Sequence, residues 1–198
     1  MIDTHCHLTF PDFAGRTDEE LDLCAEHGVT GAITISTTSR DCTQALAIAE
    51  SHPRVWCSSG IHPLYADKGP HDWDTIVRCA RSDRCVAWGE LGLDNHYDNP
   101  PREIQHAVLA EQLAVIQDTR SDGGAPALGK PIVIHCREAF DDLIPILRDA
   151  PLPADRFVFH CFTGNANDAR EVLDFGAMIS LTGVVTYKNA KDVQEAAR

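Results

Sequence analysis

The sequence lacks the features that mark several common classes of protein. It has no C-x-x-C pair, no G-x-G-x-x-G or G-x-x-x-x-G-K-(S/T) phosphate motif, and no apolar run near the ~18 residues of a membrane helix. Its N-terminus has neither the basic nor the apolar region of a secretory signal peptide. Basic residues are also few, 17 against 30 acidic ones. The resulting net charge of −13 argues against binding duplex nucleic acid over a broad basic face.

The composition is that of a globular protein with reduced cysteines. The chain has 198 residues, of which 43% are hydrophobic, 24% are charged and eight are cysteines. A chain of this length and apolar content buries a core of its own and does not need a disulfide framework. We therefore interpret the cysteines as packing residues and expect a cytoplasmic protein without membrane contact. We also expect one domain over residues 1–198.

Short apolar runs alternate with longer amphipathic segments along the chain. The seven strand candidates are residues 2–7, Ile33–Ile35, Val55–Ile61, Val86–Leu93, Ile132–Ile134, Phe157–Phe159 and Met178–Val185. Helical spacing predicts helices over Glu19–His27, Cys42–Ser51, Arg102–Thr119, Asp141–Asp149, Ala166–Phe175 and Asn189–Arg198. A long loop is predicted over Asp122–Pro131. This alternation indicates an α/β protein with a parallel sheet covered by helices.

Two parallel architectures fit this alternation. A doubly wound sheet suits the length, but it usually brings a glycine-rich phosphate turn after an early strand, and none is present. A (β/α)8 TIM-type barrel usually takes about 250 residues. We predict such a barrel with about seven β-α units present, so that the eighth is missing and the domain is C-terminally incomplete.

Histidines stand at the ends of three predicted strands. In the first strand, His5 and His7 share one face with Asp3, because side chains alternate along a strand. His135 and His160 each follow three apolar residues. The carboxyl ends of barrel strands converge on one mouth, where the active sites of such barrels lie. Because imidazole is a common metal ligand, these four histidines predict a metal site there.

Glu90 is the acidic member of this group. It follows the apolar run Val86–Trp88 and would be costly to bury unless a cation compensated its charge. An arginine is one such cation, but a metal ion is favoured beside four imidazoles. Five ligands exceed one tetrahedral site and suit two divalent ions bridged by Glu90. Two ions about 3.5–4 Å apart activate water and stabilise both oxygens of a displacement at phosphorus. We therefore take Glu90 as the catalytic candidate.

Four further residues are candidates for binding the substrate at the mouth. His62 ends the third strand, with simple packing as the alternative role. Asp94 follows the Glu90 strand, where it orients a ligand or water or else caps a turn. Arg137 is placed to contact a phosphate through a bidentate fork, or to pair with a neighbouring acid. Lys188 follows the seventh strand and faces the mouth if the barrel is correct.

Five motifs follow one another along the chain: Asp3–Leu8, Gly60–Pro63, Gly89–Asp94, Ile134–Ala139 and His160–Gly164. Together they resemble the TatD family of metal-dependent deoxyribonucleases, which belongs to the amidohydrolase superfamily. The resemblance implies a barrel and the hydrolysis of phosphodiester bonds in DNA, often as 3′-to-5′ exonuclease action. It therefore implies a DNA substrate that is single-stranded or attacked at its ends.

The resemblance also implies how two divalent ions, Mg, Mn or Zn, would be held. His5 and His7 would hold one ion, His135 and His160 would hold the other, and Glu90 would bridge them.

One element of the family is absent from this sequence. The family places a catalytic aspartate in an E-T-D-(S/A)-P motif on strand eight, and no such motif occurs here. Asp192 is no substitute, because it lies on the predicted final helix. Two alternatives to a deoxyribonuclease therefore stay open: an amidohydrolase acting on a small amide, ester or lactone, and an inactive metal-binding partial barrel. Amidohydrolases of that kind often have a carboxylated lysine on strand four, where this chain has Glu90, so the residue favours the nuclease.

Overall fold

Strands and helices alternate along the chain, as the sequence predicts. A computed structural model describes residues 1–121 and 129–198. The strands are β1 (Ile2–Cys6), β2 (Gly31–Thr34), β3 (Val55–Ser59), β4 (Cys85–Asp94), β5 (Ile132–Arg137), β6 (Phe157–Phe159) and β7 (Met178–Ile179). The α-helices are α1 (Thr17–Glu26), α2 (Ser39–Ser51), α3 (Trp73–Ala80), α4 (Arg102–Ser121), α5 (Phe140–Asp149), α6 (Ala166–Phe175) and α7 (Lys191–Ala196). Short 3-10 helices include Pro11–Phe13, Pro63–Tyr65, Ala154–Arg156 and Gly183–Thr186.

The seven strands form one sheet in the order of the sequence, β1-β2-β3-β4-β5-β6-β7. Every neighbouring pair is parallel, so each connection crosses over and most connections carry a helix. The sheet curls into a half-barrel with the helices outside it, which confirms the prediction of a TIM-type α/β fold with seven units.

The burial pattern of β5 shows how the curled sheet separates core from site. Ile132 and Ile134 are buried, whereas His135 and Arg137 are only partly buried. Because strand side chains alternate between the two faces, the buried residues face the helices and the partly buried ones face the inside of the curl. The core therefore lies between sheet and helices, and the inner face is left for polar residues.

The structure corrects two of the predicted elements. Helix α3 was not predicted; it has only eight residues, beginning after Asp72, whose side chain accepts from Thr75 N. Two turns give too short a periodic pattern to stand out. The seventh strand, predicted over Met178–Val185, is extended only at Met178–Ile179. Val185 instead lies in a 3-10 turn, and its carbonyl accepts a hydrogen bond from Gln194 of α7. The strand was predicted too long because an apolar run indicates burial but does not indicate an extended backbone.

Two other expectations concern loops and membrane contact. Most of the loop predicted over Asp122–Pro131 lies outside the described residues, which resume at Gly129. Lys130 then donates to the carbonyls of Ala80 and Ser82, which fixes the chain where β4 begins. Among the helices of the described ranges, none combines the length and the apolar character that crossing a membrane requires.

Candidate metal centre

Residues of β3, of β5 and of the segment after β2 position the backbone at Glu90. Gly89, just before it, has φ +112°, and a Cβ there would lie 2.6 Å from Val133 O, so only glycine fits without displacing β5. Ser58 Oγ donates to Gly89 O at 2.6 Å, and Glu90 N donates to Ser36 O at 3.4 Å. The carboxylate is therefore presented from a backbone held by residues in β3 and β5 and by Ser36 just after β2.

Four imidazoles surround the Glu90 carboxylate, which is only 1% exposed. On one oxygen, Oε1, His135 Nδ1 lies at 2.8 Å, His160 Nε2 at 3.4 Å and His62 Nε2 at 3.6 Å. On the other, Oε2, His5 Nε2 lies at 3.0 Å. The structure thus brings together three of the four histidines predicted as ligands and adds His62.

The donor atoms fall into two groups that share Glu90. His5, Glu90 and His160 form one, and His62, Glu90 and His135 form the other; within each group the atoms lie within 4.8 Å of one another. The rings of His5 and His160 stack at 3.5 Å, and His62 Nε2 lies 3.1 Å from His135 Nδ1. This grouping differs from the pairing of His5 with His7 and of His135 with His160 that the resemblance implies.

His7 lies beside the first group without joining it. Its ring is 5.2 Å from that of His5 and stacks on Phe10 at 4.6 Å. Its Nδ1 lies 2.9 Å from Ile35 O. Donation to that carbonyl leaves the other ring nitrogen as an electron-pair donor. A role for His7 as a ligand therefore stays a prediction.

The imidazoles around Glu90 have the chemistry that divalent ions require. Within the described chain, His5 Nε2 and His160 Nδ1 are buried and have no hydrogen-bond partner, although His5 lies close to Glu90. Burial lowers the pKa of His160 to about 4 and that of His62 to about 3. These imidazoles are therefore neutral at neutral pH, the form that binds a metal ion. The residues present fit Zn²⁺ or Mn²⁺.

His135 differs from the other imidazoles because two carboxylates flank it. Asp94 Oδ2 lies 2.8 Å from His135 Nε2, opposite the Nδ1 atom that faces Glu90. Burial works to lower the pKa of His135, but hydrogen bonds to Asp94 and Glu90 outweigh it and raise the pKa to about 9. Burial likewise works to raise the pKa of Glu90, but His135 and His5 hold it well below its usual range. A carboxylate behind a ligating histidine typically fixes its orientation and tautomer.

A cavity of about 640 Å³ opens beside the centre. His135, His160 and Arg137 line it, together with Asp192, which lies on α7 as predicted. Arg137 is thus placed beside the candidate ligands. Lys188 is exposed and is not among the described residues that line this cavity.

Sequence reasoning did not single out three residues that bear on the centre. Ser36 and Ser58 fix the backbone beside Glu90, and Tyr97 lies on the loop after Asp94. The sequence does contain a pattern that could have identified the two serines, because each is a polar residue at the end of an apolar strand, as the histidines are.

Comparisons with known proteins identify the family of the chain. Residues 2–198 match the family model of the TatD related DNases. An uncharacterized metal-dependent hydrolase of Bacillus subtilis, YabD, is 30% identical over 199 residues, covering 100% of this chain and 74% of the relative. The 3′-5′ ssDNA/RNA exonuclease TatD of Enterobacter lignolyticus is 30% identical over 186 residues, covering 93% of this chain and 68% of the relative.

A solved structure gives the same result for the fold. The crystal structure of YjjV, a TatD homologue from Escherichia coli, matches with a TM-score of 0.84 at 29% identity, covering 99% of this chain and 73% of that chain. The family model, the relatives and the matching fold confirm the resemblance seen in the sequence. The chain belongs to the TatD family of metal-dependent hydrolases.

Proposed function

We propose that this chain is a divalent-metal-dependent deoxyribonuclease that cleaves the phosphodiester bonds of DNA through a dinuclear site. The observation that carries the proposal is Glu90, one buried carboxylate shared by two groups of nitrogen donors. A shared carboxylate suits a pair of ions acting on one phosphorus centre. The activity in the name of the Enterobacter relative supports a single-stranded substrate or one attacked at its ends.

We assign the candidate ligands from their distances to Glu90. His5 and His160 would hold one ion with Glu90, His62 and His135 would hold the other, and His7 stands next to the first. Divalent ions bound there supply Lewis-acid stabilisation of a phosphoryl oxygen and lower the pKa of water. Imidazole-rich donors favour Zn²⁺ or Mn²⁺ over Mg²⁺, which prefers oxygen ligands.

The remaining candidates act on the substrate or on the ligands. Arg137 lines the cavity next to His135, where a guanidinium offsets the charge of a phosphate. Asp94 orients His135 rather than contacting DNA. Because the net charge is −13, binding of DNA should be weak without ions and strengthened by them. Lys188 is placed after β7 and is the weaker candidate for a phosphate contact.

The test is hydrolysis of a 5′-labelled single strand by protein stripped with chelator and reloaded with Mg²⁺, Mn²⁺ or Zn²⁺. We expect cleavage only with metal, and we expect Glu90→Gln to lose both cleavage and bound metal. Glu103→Gln, which changes an exposed carboxylate on α4, is the matched control.

Other outcomes separate the alternatives. Metal-dependent turnover of small amides, esters or lactones without cleavage of DNA would establish an amidohydrolase instead. Bound metal without turnover of either kind of substrate would establish an inactive metal-binding barrel.

Two general expectations stay proposals. We propose a cytoplasmic protein, supported by eight cysteines that are all free. We also propose that residues 1–198 act as one hydrolase domain, supported by the family match from residue 2 to residue 198.

A further inference from the structure

Tyr97 is an aromatic side chain that stays exposed close to the candidate metal centre. The residue is 46% exposed, whereas the large aromatic residues of the core, such as Trp88, are buried. Its backbone N donates to Asp94 Oδ1 at 3.3 Å, while Asp94 Oδ2 lies 2.8 Å from His135 Nε2. One carboxylate therefore fixes both the Tyr97 loop and a candidate ligand.

Two neighbouring side chains hold the Tyr97 ring without burying it. The guanidinium carbon of Arg137 lies 5.1 Å from the ring centroid, and Arg137 Nη1 donates to Tyr97 Oη at 3.3 Å. The ring of His96 meets it edge-on at 4.8 Å. A cation over a ring is an attractive contact that also reduces the freedom of the ring. The ring is therefore prepositioned in solvent.

Tyr97 and Leu64 line a second cavity, of about 370 Å³, together with Asp98 and Asn99. We call this space the base cavity. It is a shallow depression that is open to solvent. Leu64 N donates to His62 Nδ1 at 3.1 Å, so its apolar wall is also tied to a candidate ligand.

Of the described residues that line the two cavities, a basic one belongs only to the larger cavity. Arg137 lines the larger cavity, beside His135 and His160, and is not among the described residues that line the base cavity. The base cavity instead carries the carboxylate of Asp98, which repels a phosphate. An uncharged planar group suits the base cavity. A phosphate suits only the side of the larger cavity at Arg137, because Glu138, Asp168 and Asp192 also line that cavity.

We propose that the base cavity binds the nucleobase next to the scissile phosphate, with Tyr97 stacking on the base and Arg137 contacting the phosphate. This inference rests on the proposed function and deepens it, since it makes bases, and not the backbone alone, part of what the enzyme binds. Stacking on an aromatic side chain tolerates any base, because every base has a π face. Tyr97 is thus a substrate-positioning residue that does not discriminate strongly between base types.

The test compares two 5′-labelled strands of equal length with metal-loaded protein. One carries ordinary bases, and the other consists of abasic tetrahydrofuran residues with the same phosphodiester backbone. We expect the wild type to cleave the ordinary strand with about 5- to 150-fold higher kcat/KM, the factor that one stacked base contributes. Most of this difference should lie in KM. Tyr97→Leu should lose the preference for the ordinary strand, and Tyr97→Phe, which keeps the ring, should keep the preference.

Leu173→Ala, at an exposed position on α6, is the matched control and should keep the preference. If Tyr97→Leu keeps the preference, or loses cleavage of both strands equally, the inference is overturned while the proposed function stands. If the wild type cleaves neither strand, the proposed function fails and the inference fails with it.

Discussion

Replacing Asp94 with asparagine should weaken metal binding at one of the two candidate groups. Asp94 is fully buried and lies 2.8 Å from His135 Nε2. In D94N the amide oxygen still accepts from the backbone of His96 and Tyr97, so the loop keeps its contacts. The amide nitrogen, however, donates to His135 Nε2 and forces the ring proton onto Nδ1. That nitrogen faces Glu90, and once protonated it no longer binds a metal ion.

The size of the effect follows from the hydrogen bond that is lost. Removing the partner behind a ligating histidine typically lowers metal affinity by 10- to 100-fold. This corresponds to about 1.4–2.8 kcal/mol, in line with the ~1.5–3 kcal/mol of a hydrogen bond to a charged group. We therefore expect a 10- to 100-fold higher Kd in the group that contains His62 and His135. The group that contains His5 and His160 should change little.

The assay is a calorimetric titration of chelator-treated protein with Mn²⁺, read as two binding steps. Glu103→Gln, which removes an exposed charge, is the control for net charge. If D94N binds Mn²⁺ in both steps with the same Kd values as the wild type, Asp94 does not set the tautomer of His135. Equal weakening of both steps would show that the two groups are not independent.

Three further predictions concern stability and reactivity. Ser58→Ala removes the hydrogen bond to Gly89 O, so urea unfolding should give a free energy of unfolding lower by about 1–3 kcal/mol, whereas exposed Ser51→Ala should change it little. In metal-free protein, the pKa of His135 is about 6.5 in the unfolded chain and is raised to about 9 in the folded one. Its protonated ring therefore stabilises the fold fully below pH 6.5, and this contribution to the free energy of unfolding is lost as the pH rises through 9. The fall in Tm over that range should be smaller in His135→Gln. Cys24, the exposed cysteine, should react first with a thiol reagent at neutral pH; faster labelling of a buried cysteine would contradict the structure.

The fold was predictable because its signal repeats. Each unit contributes an apolar strand and an amphipathic helix, so an error in one unit does not change the class. Helix α3 escaped prediction because two turns carry little periodicity. The end of β7 was misplaced because Val184 and Val185 are partly buried in a 3-10 turn, and apolar residues do not distinguish that turn from a strand.

The location of the candidate centre was predictable for a different reason. Parallel strands bring their carboxyl ends to one edge, so histidines at three strand ends must lie near one another. The distances to Glu90 from His5, His135 and His160 agree with that reasoning. Which histidine faces which depends on the curl of the sheet, and no spacing in the sequence encodes it.

Individual partners decide what each of these chemically identical side chains does. His7 has a backbone carbonyl within hydrogen-bond distance, and His62, which the sequence placed among substrate-binding candidates, meets Glu90 instead. Asp94 lies behind His135 and helps raise its pKa to about 9, so that ring holds a proton at neutral pH, whereas burial lowers the pKa of His160 to about 4. A metal ion held by His135 would have to displace that proton, whereas His160 is already neutral. We therefore expect metal binding at the two donor groups to depend differently on pH, because of Asp94, which lies four residues after Glu90 on β4.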